Sequence, residues 1–330
     1  MNLEMFNEEQ RQEIEAGLEN DVDVRVYADP QYDRSQMFEI RYGLEHGLDV
    51  SIYADPKFNA RQMGEIILGL KRNHVDVSLY ADPKYEWRQM ALIRYGLEKD
   101  LDVSVYADSK YDYTQMRELR KGLENGVDVS IYADPKYDHF QMNQIREGLQ
   151  EGVDVSIYAD PQYNFVQMSY IREGLQDGLD VLVYADPKFD ADQMYQIAEG
   201  LEYNVDVSWY ADPKYEWAQM EEIRTGLEDG VDVSIYADPK FNWDQMQQIR
   251  EGLERGVDVT IYADPKYDAE QMAYIYLGLA SGVDVSIYAD PKYDADQMRK
   301  ICYSLEEDLK TKHDRPAVQL NKPTGKGLER

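Results

Sequence analysis

A repeat of about 26 residues most constrains how this chain can fold. The triplet Tyr-Ala-Asp occurs eleven times, and successive copies are 26 residues apart nine times and 27 residues apart once. The extra residue lies within the segment Lys71-Arg72-Asn73-His74. Repeats of this length are typical of solenoids, in which each unit buries its apolar face against its neighbours. Eleven triplets and a degenerate first helix predict about twelve stacked units.

Each unit contains the signature of one longer helix. Asp33 is followed three residues later by Gln36, the spacing of a capping box. Met37 then opens an apolar series at helical spacing, and the series ends at Gly47, a residue type that tolerates the left-handed conformation at a helix end. These signals predict a helix over about 34–46, with an equivalent in every unit.

A glycine recurs inside that helix, which needs a physical reason. It stands at Gly43 and at Gly69, Gly96, Gly122, Gly148, Gly174, Gly200, Gly226, Gly252 and Gly278. A glycine in a helix interior costs about 1 kcal/mol relative to alanine. The pattern therefore predicts that a neighbouring helix approaches closely at this position.

The segment that opens each unit permits two interpretations. Val127–Tyr132 alternates apolar and polar residues as a strand would, so a β/α solenoid with a short strand at Val-Asp-Val-Ser-Ile-Tyr is the alternative. Stacked strands would, however, place equivalent aspartates such as Asp128 about 4.8 Å apart. Asp128 also stands where a helix N-cap belongs, and Pro135 ends whatever precedes it. We therefore predict an all-α solenoid whose units pair one longer helix with a short one, here 129–133.

The repeat resembles a group of uncharacterised bacterial short-repeat proteins. The resemblance lies in the string Tyr-Ala-x-Pro-x-Tyr/Phe-Asp/Asn-x-x-Gln-Met-x-x-Ile-Arg-x-Gly-Leu-x-x-Gly and extends from about Phe6 to Leu305. In that group, longer units carry a clearly helical segment before Tyr-Ala, so the resemblance implies an all-α fold. It implies no activity.

Departures from the repeat predict the domain boundaries. Residues 1–31 keep the helix-start pattern with a more polar face and form an N-terminal cap. Residues 32–294 form the regular solenoid, expected to be one elongated body, and 295–309 form a C-terminal capping helix. Residues 310–330, with six basic and two acidic residues, are expected to be a flexible basic tail.

The net charge and the composition argue against some classes of binding partner and some cellular locations. The formal net charge is −30, which argues against direct binding to nucleic acid or to an anionic membrane. No run approaches the roughly 20 apolar residues that span a bilayer, and Met1–Phe6 lacks the basic and apolar pattern of a signal peptide. The single cysteine, Cys302, indicates a reducing compartment. We expect a cytoplasmic protein.

The sequence predicts no catalytic, cofactor or metal site, and therefore no enzyme. Calcium needs six to eight converging oxygens, which the segment Asp-Pro-Lys-Tyr-Asp does not supply. The four histidines share no metal-binding spacing, and Cys302 has no partner base in view.

A recurring arginine predicts a bracing role rather than a cationic stripe. It stands at Arg41, Arg94, Arg120, Arg146, Arg172, Arg224 and Arg250, and Ile67, Ala198 and Tyr276 replace it in other units. We expect each guanidinium to bind an aspartate of its own or the next repeat, such as Asp134 of the triplet, and so to brace the stack.

Variable aromatic residues at the helix starts are the candidate partner-binding site. They are Trp87, Tyr113, Phe140, Phe165, Trp217 and Trp243. A row of exposed aromatics is a common source of interface anchors, although the same rings could instead cover the adjacent loop. Trp209, in the usual Ile or Val position of the short segment, is expected to pack in the core.

Two functions from different classes follow from these features. The first is a non-enzymatic scaffold that binds an unidentified protein through an extended solenoid surface. The alternative is an acidic mimic of nucleic acid that occupies a DNA-binding protein, with binding that weakens steeply as salt is added.

Overall fold

The computed structural model describes residues 3–313, and within this range the regular structure is entirely helical. The α-helices are α1 Glu8–Glu19, α2 Arg34–Glu45, α3 Ala60–Leu70, α4 Trp87–Glu98, α5 Tyr113–Glu124, α6 His139–Glu151, α7 Phe165–Asp177, α8 Ala191–Glu202, α9 Trp217–Glu228, α10 Trp243–Glu254, α11 Ala269–Ala280 and α12 Ala295–His313. Short 3-10 helices alternate with them at Leu3–Met5, Val24–Val26, Val50–Ile52, Val77–Leu79, Val103–Val105, Val129–Ile131, Val155–Ile157, Val181–Val183, Val207–Trp209, Val233–Ile235, Val259–Ile261 and Val285–Ile287. The predicted all-α solenoid of about twelve units is confirmed.

The chain divides into two compact units, Met1–Gly178 and Leu179–Arg330. In the first unit, helices α1 to α7 pack in series, each against the next. In the second unit, α8 to α12 do the same. The predicted boundaries at 31, 294 and 309 remain predictions. Helix α12 continues to His313, and the rest of the predicted tail lies outside the described residues.

The β/α alternative is wrong, because the segment Val-Asp-Val-Ser-Ile-Tyr satisfies its hydrogen bonds locally. Asp128 caps the 3-10 helix by accepting from the Ser130 backbone N–H at 3.0 Å. The N–H groups of Tyr132 and Ala133 both donate to the Val129 carbonyl, at 3.1 and 2.9 Å. The short helix spans Val129–Ile131, two residues less than predicted. The apolar–polar alternation does not follow burial, because Val129 and Tyr132 are buried while both Ser130 and the apolar Ile131 between them are exposed.

The tyrosine of the triplet explains the helical glycine. Tyr158 is fully buried, and its hydroxyl donates to the Gln144 carbonyl of the preceding helix at 3.2 Å. A Cβ atom added at Gly148 would lie 1.9 Å from that hydroxyl oxygen. The glycine does make room for a close approach, but the approaching group is a tyrosine hydroxyl from the following short segment and not the predicted neighbouring helix. Burial raises the pKa of the equivalent Tyr27 to about 12, so this hydroxyl stays protonated as a donor.

Within each compact unit, the capping glutamine of one repeat binds the loop of the next repeat. In α6, the Gln141 side-chain oxygen accepts from the Asp138 backbone N–H at 2.8 Å, and Asp138 accepts from the Gln141 N–H, which completes the capping box. The Gln141 Nε2 group also donates to the Tyr163 carbonyl at 2.6 Å and to the Pro161 carbonyl at 3.3 Å. The buried Gln141 side chain therefore caps its own helix and also forms hydrogen bonds to the loop of the following repeat.

The recurring arginines do brace neighbouring helices, but the predicted partner is wrong. Arg146 binds Glu118, which lies 28 residues earlier on the preceding helix, with 3.2 Å between Nε and Oε2. Asp134 instead accepts from the Lys136 backbone N–H at 3.0 Å and shapes its own loop. Equivalent cross-helix bonds join Arg41 to Glu13, Arg94 to Glu65, Arg172 to Gln144, Arg224 to Gln196 and Arg250 to Glu222.

One arginine lacks this partner, which leads to a stabilising prediction. The residue facing Arg120 from the preceding helix is Leu92, and the buried Arg120 Nε has no hydrogen-bond partner. Leu92→Gln supplies the acceptor that Gln144 and Gln196 supply elsewhere, so we expect the free energy of unfolding to rise by about 0.5–1.5 kcal/mol. Urea denaturation measures this change. Leu92→Met, of similar size but without an acceptor, is the control, and equal stability of the two variants would contradict the prediction.

Candidate protein-binding surface

The six candidate aromatics all lie at helix starts. Trp87, Tyr113, Phe165, Trp217 and Trp243 are the first residues of α4, α5, α7, α9 and α10, and Phe140 is the second residue of α6. Five of them are 37 to 51% exposed, and Trp87 is partly exposed. Among the described residues, these rings therefore present apolar surface to solvent in both units.

The helix-start geometry explains why these particular side chains are exposed. In α5, Asp112 accepts from the Gln115 backbone N–H at 2.9 Å and caps the helix. Gln115 and Met116, one turn in, point inward and are buried. The Tyr113 side chain neither caps the helix nor packs in the core, so the residue type at this position can differ from repeat to repeat. The capped turn nevertheless fixes the backbone that carries the ring.

In the first unit, arginines link the aromatic rings into an ordered series. The Arg88 guanidinium lies 5.1 Å from the Trp87 ring centre and 5.3 Å from that of Tyr113. Arg61, from α3, lies 5.4 Å from the Trp87 ring centre. Cation–π contacts of this kind contribute about 0.5–1 kcal/mol at exposed sites. We refer to Arg61, Trp87, Arg88 and Tyr113 as the arginine–aromatic row.

Two further candidates in the same unit contact each other directly. The rings of Phe140 and Phe165 are stacked, with 5.0 Å between their centres. His139 lies beside Phe140 at 3.9 Å between ring centres. The sequence identified both phenylalanines as candidates but did not identify the contribution of Arg61 and Arg88. The available signal was that these arginines occupy the variable second position of their helices.

In the second unit, Trp217 and Trp243 are exposed at the starts of α9 and α10. Trp217 borders a recess of about 220 Å³ whose wall includes Pro213 and Lys214. Lys214 forms an ion pair with Asp212, with 3.0 Å between Nζ and Oδ2. Hydrogen bonds from the Lys214 backbone and side chain lower the pKa of Asp212. The carboxylate near this recess is therefore ionised at neutral pH.

The prediction that Trp209 packs in the core is wrong. Trp209 is 41% exposed, because the third residue of its 3-10 helix points outward while the first, Val207, is buried. Other apolar residues at this third position are exposed as well, namely Leu79, Ile131, Ile261 and Ile287. This second set of exposed apolar side chains was missed because the alternating pattern was interpreted as core.

Known proteins offer no guide to the function of this surface. Comparison with them finds no matching family model, no matching curated protein and no matching solved structure. In residues 3–313, no helix has the length and apolarity to cross a membrane. The same range contains no cluster of three or more His, Cys, Asp or Glu side chains that could hold a metal ion. The function must therefore be inferred from the exposed aromatic residues themselves.

Proposed function

We propose that this chain is a non-enzymatic scaffold that binds a protein partner through the exposed helix-start aromatics. The observation that carries the proposal is the contrast between positions. The triplet tyrosine, capping glutamine and helical methionine are buried and repeat with little change, whereas the helix starts vary and are exposed. Tryptophan, tyrosine and arginine are the residue types enriched at binding hot spots.

The arginine–aromatic row has the rigidity that an interface anchor requires. Trp87 and Tyr113 stand on capped helix starts, and Arg88 lies against both rings. Side chains that are already held lose less conformational entropy when a partner binds.

The single cysteine, Cys302, is buried, which is compatible with a reducing cytoplasmic location.

Joint replacement of Trp87, Trp217 and Trp243 by alanine tests the proposal. We expect the triple variant to lose about 2–4 kcal/mol of binding free energy toward a partner captured from the native host, because it removes the largest anchors of both units. Calorimetric titration measures the loss, and circular dichroism checks that the helices are retained. Tyr203→Ala is the control, since Tyr203 is a highly exposed aromatic at the opposite end of α8. Unchanged affinity of the triple variant would refute the aromatic surface.

The same titration separates this function from the acidic-mimic alternative. The observation that favours the mimic is that the recurring arginines are engaged by neighbouring side chains, which leaves a large acidic excess at the surface. A mimic would bind a DNA-binding protein with an affinity that falls steeply with salt. Binding through the aromatics would change little with salt.

A further inference from the structure

Helix α3 departs from the repeat at three positions that border one groove. Gly64 is the only glycine at its repeat position, Ile67 replaces the recurring arginine, and Lys71 replaces the acidic or amide residue found at that position in most units. All three residues line a groove of about 460 Å³ bounded by α2, α3 and α4. The one-residue insertion of the chain begins at the same place.

In repeats without these three departures, the space that corresponds to the groove is occupied by a side chain of the protein itself. There, a guanidinium from one helix binds a carboxylate or amide of the preceding helix and, in several repeats, a carboxylate or amide four residues further along its own. Arg94 binds Glu65 at 3.0 Å and Glu98 at 2.7 Å. Arg250 binds Glu222 in the same way at 2.8 Å. The fold thus leaves space for an arginine side chain between successive helices.

Glu39 lines the groove, but the following helix supplies no arginine to bind its carboxylate. It is the residue of α2 that corresponds to Glu13 and Glu65, but the residue facing it from α3 is Ile67. Burial raises the pKa of the Glu39 carboxyl, and the charge of Lys71 offsets only part of that effect. Lys71 itself donates to the Tyr42 hydroxyl, and its ammonium lies 4.4 Å from the Tyr42 ring centre. A partly buried carboxylate is therefore left for an external cation.

The walls of the groove suit an arginine side chain. Leu68 and the Tyr42 ring offer apolar surface to an aliphatic stem, and Trp87 forms part of the same wall. Space is available at Gly64, where an added Cβ would meet only the Glu39 carboxylate oxygen, at 4.0 Å. Arginine combines an aliphatic stem with a planar fork that binds carboxylates and stacks on aromatic faces. Arg61, the other cation of the groove, already lies against Trp87.

We propose that this groove binds an arginine side chain of the protein partner, with its guanidinium on Glu39 and its stem along Leu68 and Tyr42. The occupant takes the place that the chain's own arginines take between other helices. The net charge of −30 favours a basic partner segment. The inference rests on the proposed binding function and identifies one residue type that the partner presents.

Nuclear magnetic resonance of the full ¹⁵N-labelled chain tests the groove with a defined probe. The four tryptophan indole signals report on Trp87 and on three tryptophans that do not line the groove, and Trp87→Phe assigns the first. We expect acetyl-Gly-Arg-Gly-amide to shift the Trp87 signal saturably. The matched citrulline peptide, neutral but nearly identical in shape, should bind at least tenfold more weakly. Equal shifts of all four signals, or equal binding of citrulline, would overturn the proposal.

Three variants then locate the site. Glu39→Gln should weaken arginine binding at least tenfold without loss of fold, because Gln144 and Gln196 occupy the same place in other units. Ile67→Arg should fill the groove from within and abolish probe binding. Lys71→Met should leave probe binding unchanged or make it tighter, since Lys71 competes for Glu39. Unchanged binding to Glu39→Gln, or loss of binding in Lys71→Met, would contradict the assignment.

Failure of this inference can be distinguished from failure of the scaffold function. Trp217 and Trp243 lie in the second unit and do not line the groove. If the arginine probe fails while alanine at these two residues still weakens partner binding, only the groove assignment is wrong.

Discussion

Replacing Gln141 with glutamate is expected to lower the free energy of unfolding by about 2–4 kcal/mol. The substitution changes one amide nitrogen to oxygen, and glutamate is itself a common residue at this position of a capping box. Gln141, however, is only 6% exposed, and its Nε2 donates to the Pro161 and Tyr163 carbonyls. A carboxylate cannot donate, so it would face two carbonyl oxygens without compensation.

The pH dependence of this variant follows from the same geometry. A buried carboxylate facing carbonyls has a folded-state pKa above its unfolded value of about 4.3. For an acid whose folded pKa is raised, the destabilisation is absent below the unfolded pKa, grows as pH rises between the two pKa values and is complete above the folded pKa. The stability difference between Gln141→Glu and the native chain should therefore be complete at pH 7 and shrink toward pH 4. Urea denaturation at several pH values measures it.

A matched control lies on the same helix. Gln150 is exposed, and its Oε1 accepts from Arg146 Nη1. Other units have glutamate at this position, as at Glu98 and Glu228. Gln150→Glu should therefore leave stability unchanged or raise it by a few tenths of a kcal/mol. If both substitutions had the same effect, the capping glutamine would not hold the following unit as described.

The sequence predicted the fold because its local signals agree with one another. The pair Asp33 and Gln36 marked a helix start, and Gly47 marked its end, within one residue of the observed cap region. The bonds from the capping glutamine to the following loop could not be predicted from local sequence signals, because their acceptors lie 20 to 23 residues away. A signal did exist: glutamate never replaces glutamine at this position, although a capping box accepts either.

The arginine partner was missed for a related reason. An aspartate such as Asp134 of the triplet was the expected partner, but the Asp134 carboxylate is used by its own loop. The true acceptor, Glu118, lies 28 residues before Arg146, which is one repeat plus two residues. Its position in the repeat holds Glu, Gln, Leu, Tyr or Lys in different helices, so a pattern based on constancy does not reveal it.

The sequence predicted where the candidate surface lies, but it did not predict all the residues that form it. The helix-start aromatics were identified because they vary while the framework does not, and the structure places them at exposed helix starts. Contacts such as Arg88 with Trp87 depend on side-chain directions that a single sequence does not specify. The groove at Glu39 depends on Ile67 in the next unit, so it becomes visible only when neighbouring helices are compared in space.

The coupling between the helical glycine and the buried tyrosine makes the second large prediction. Gly148→Ala is expected to lower the free energy of unfolding by about 2–3 kcal/mol, even though alanine is the better helix former. The added Cβ would lie 1.9 Å from the Tyr158 hydroxyl oxygen and 3.0 Å from a Val155 methyl carbon, so the hydroxyl must leave its place beside the Gln144 carbonyl. The sequence supports this coupling: α12 has Ser304 at the glycine position, and no Tyr-Ala-Asp triplet follows it.

A double-mutant cycle separates this coupling from a general effect on the helix. Tyr158→Phe removes the hydroxyl and should cost about 0.5–1.5 kcal/mol through the lost hydrogen bond. In the Tyr158→Phe background, Gly148→Ala should cost at least 1 kcal/mol less than in the native chain, because the closest obstruction is gone and only the methyl contacts of Val155 and Val153, at 3.0 and 3.1 Å, remain. Denaturant unfolding of the four proteins gives the coupling energy, and hydrogen exchange of the α6 amides locates it. Additive costs would mean that the glycine is required for some reason other than the tyrosine hydroxyl.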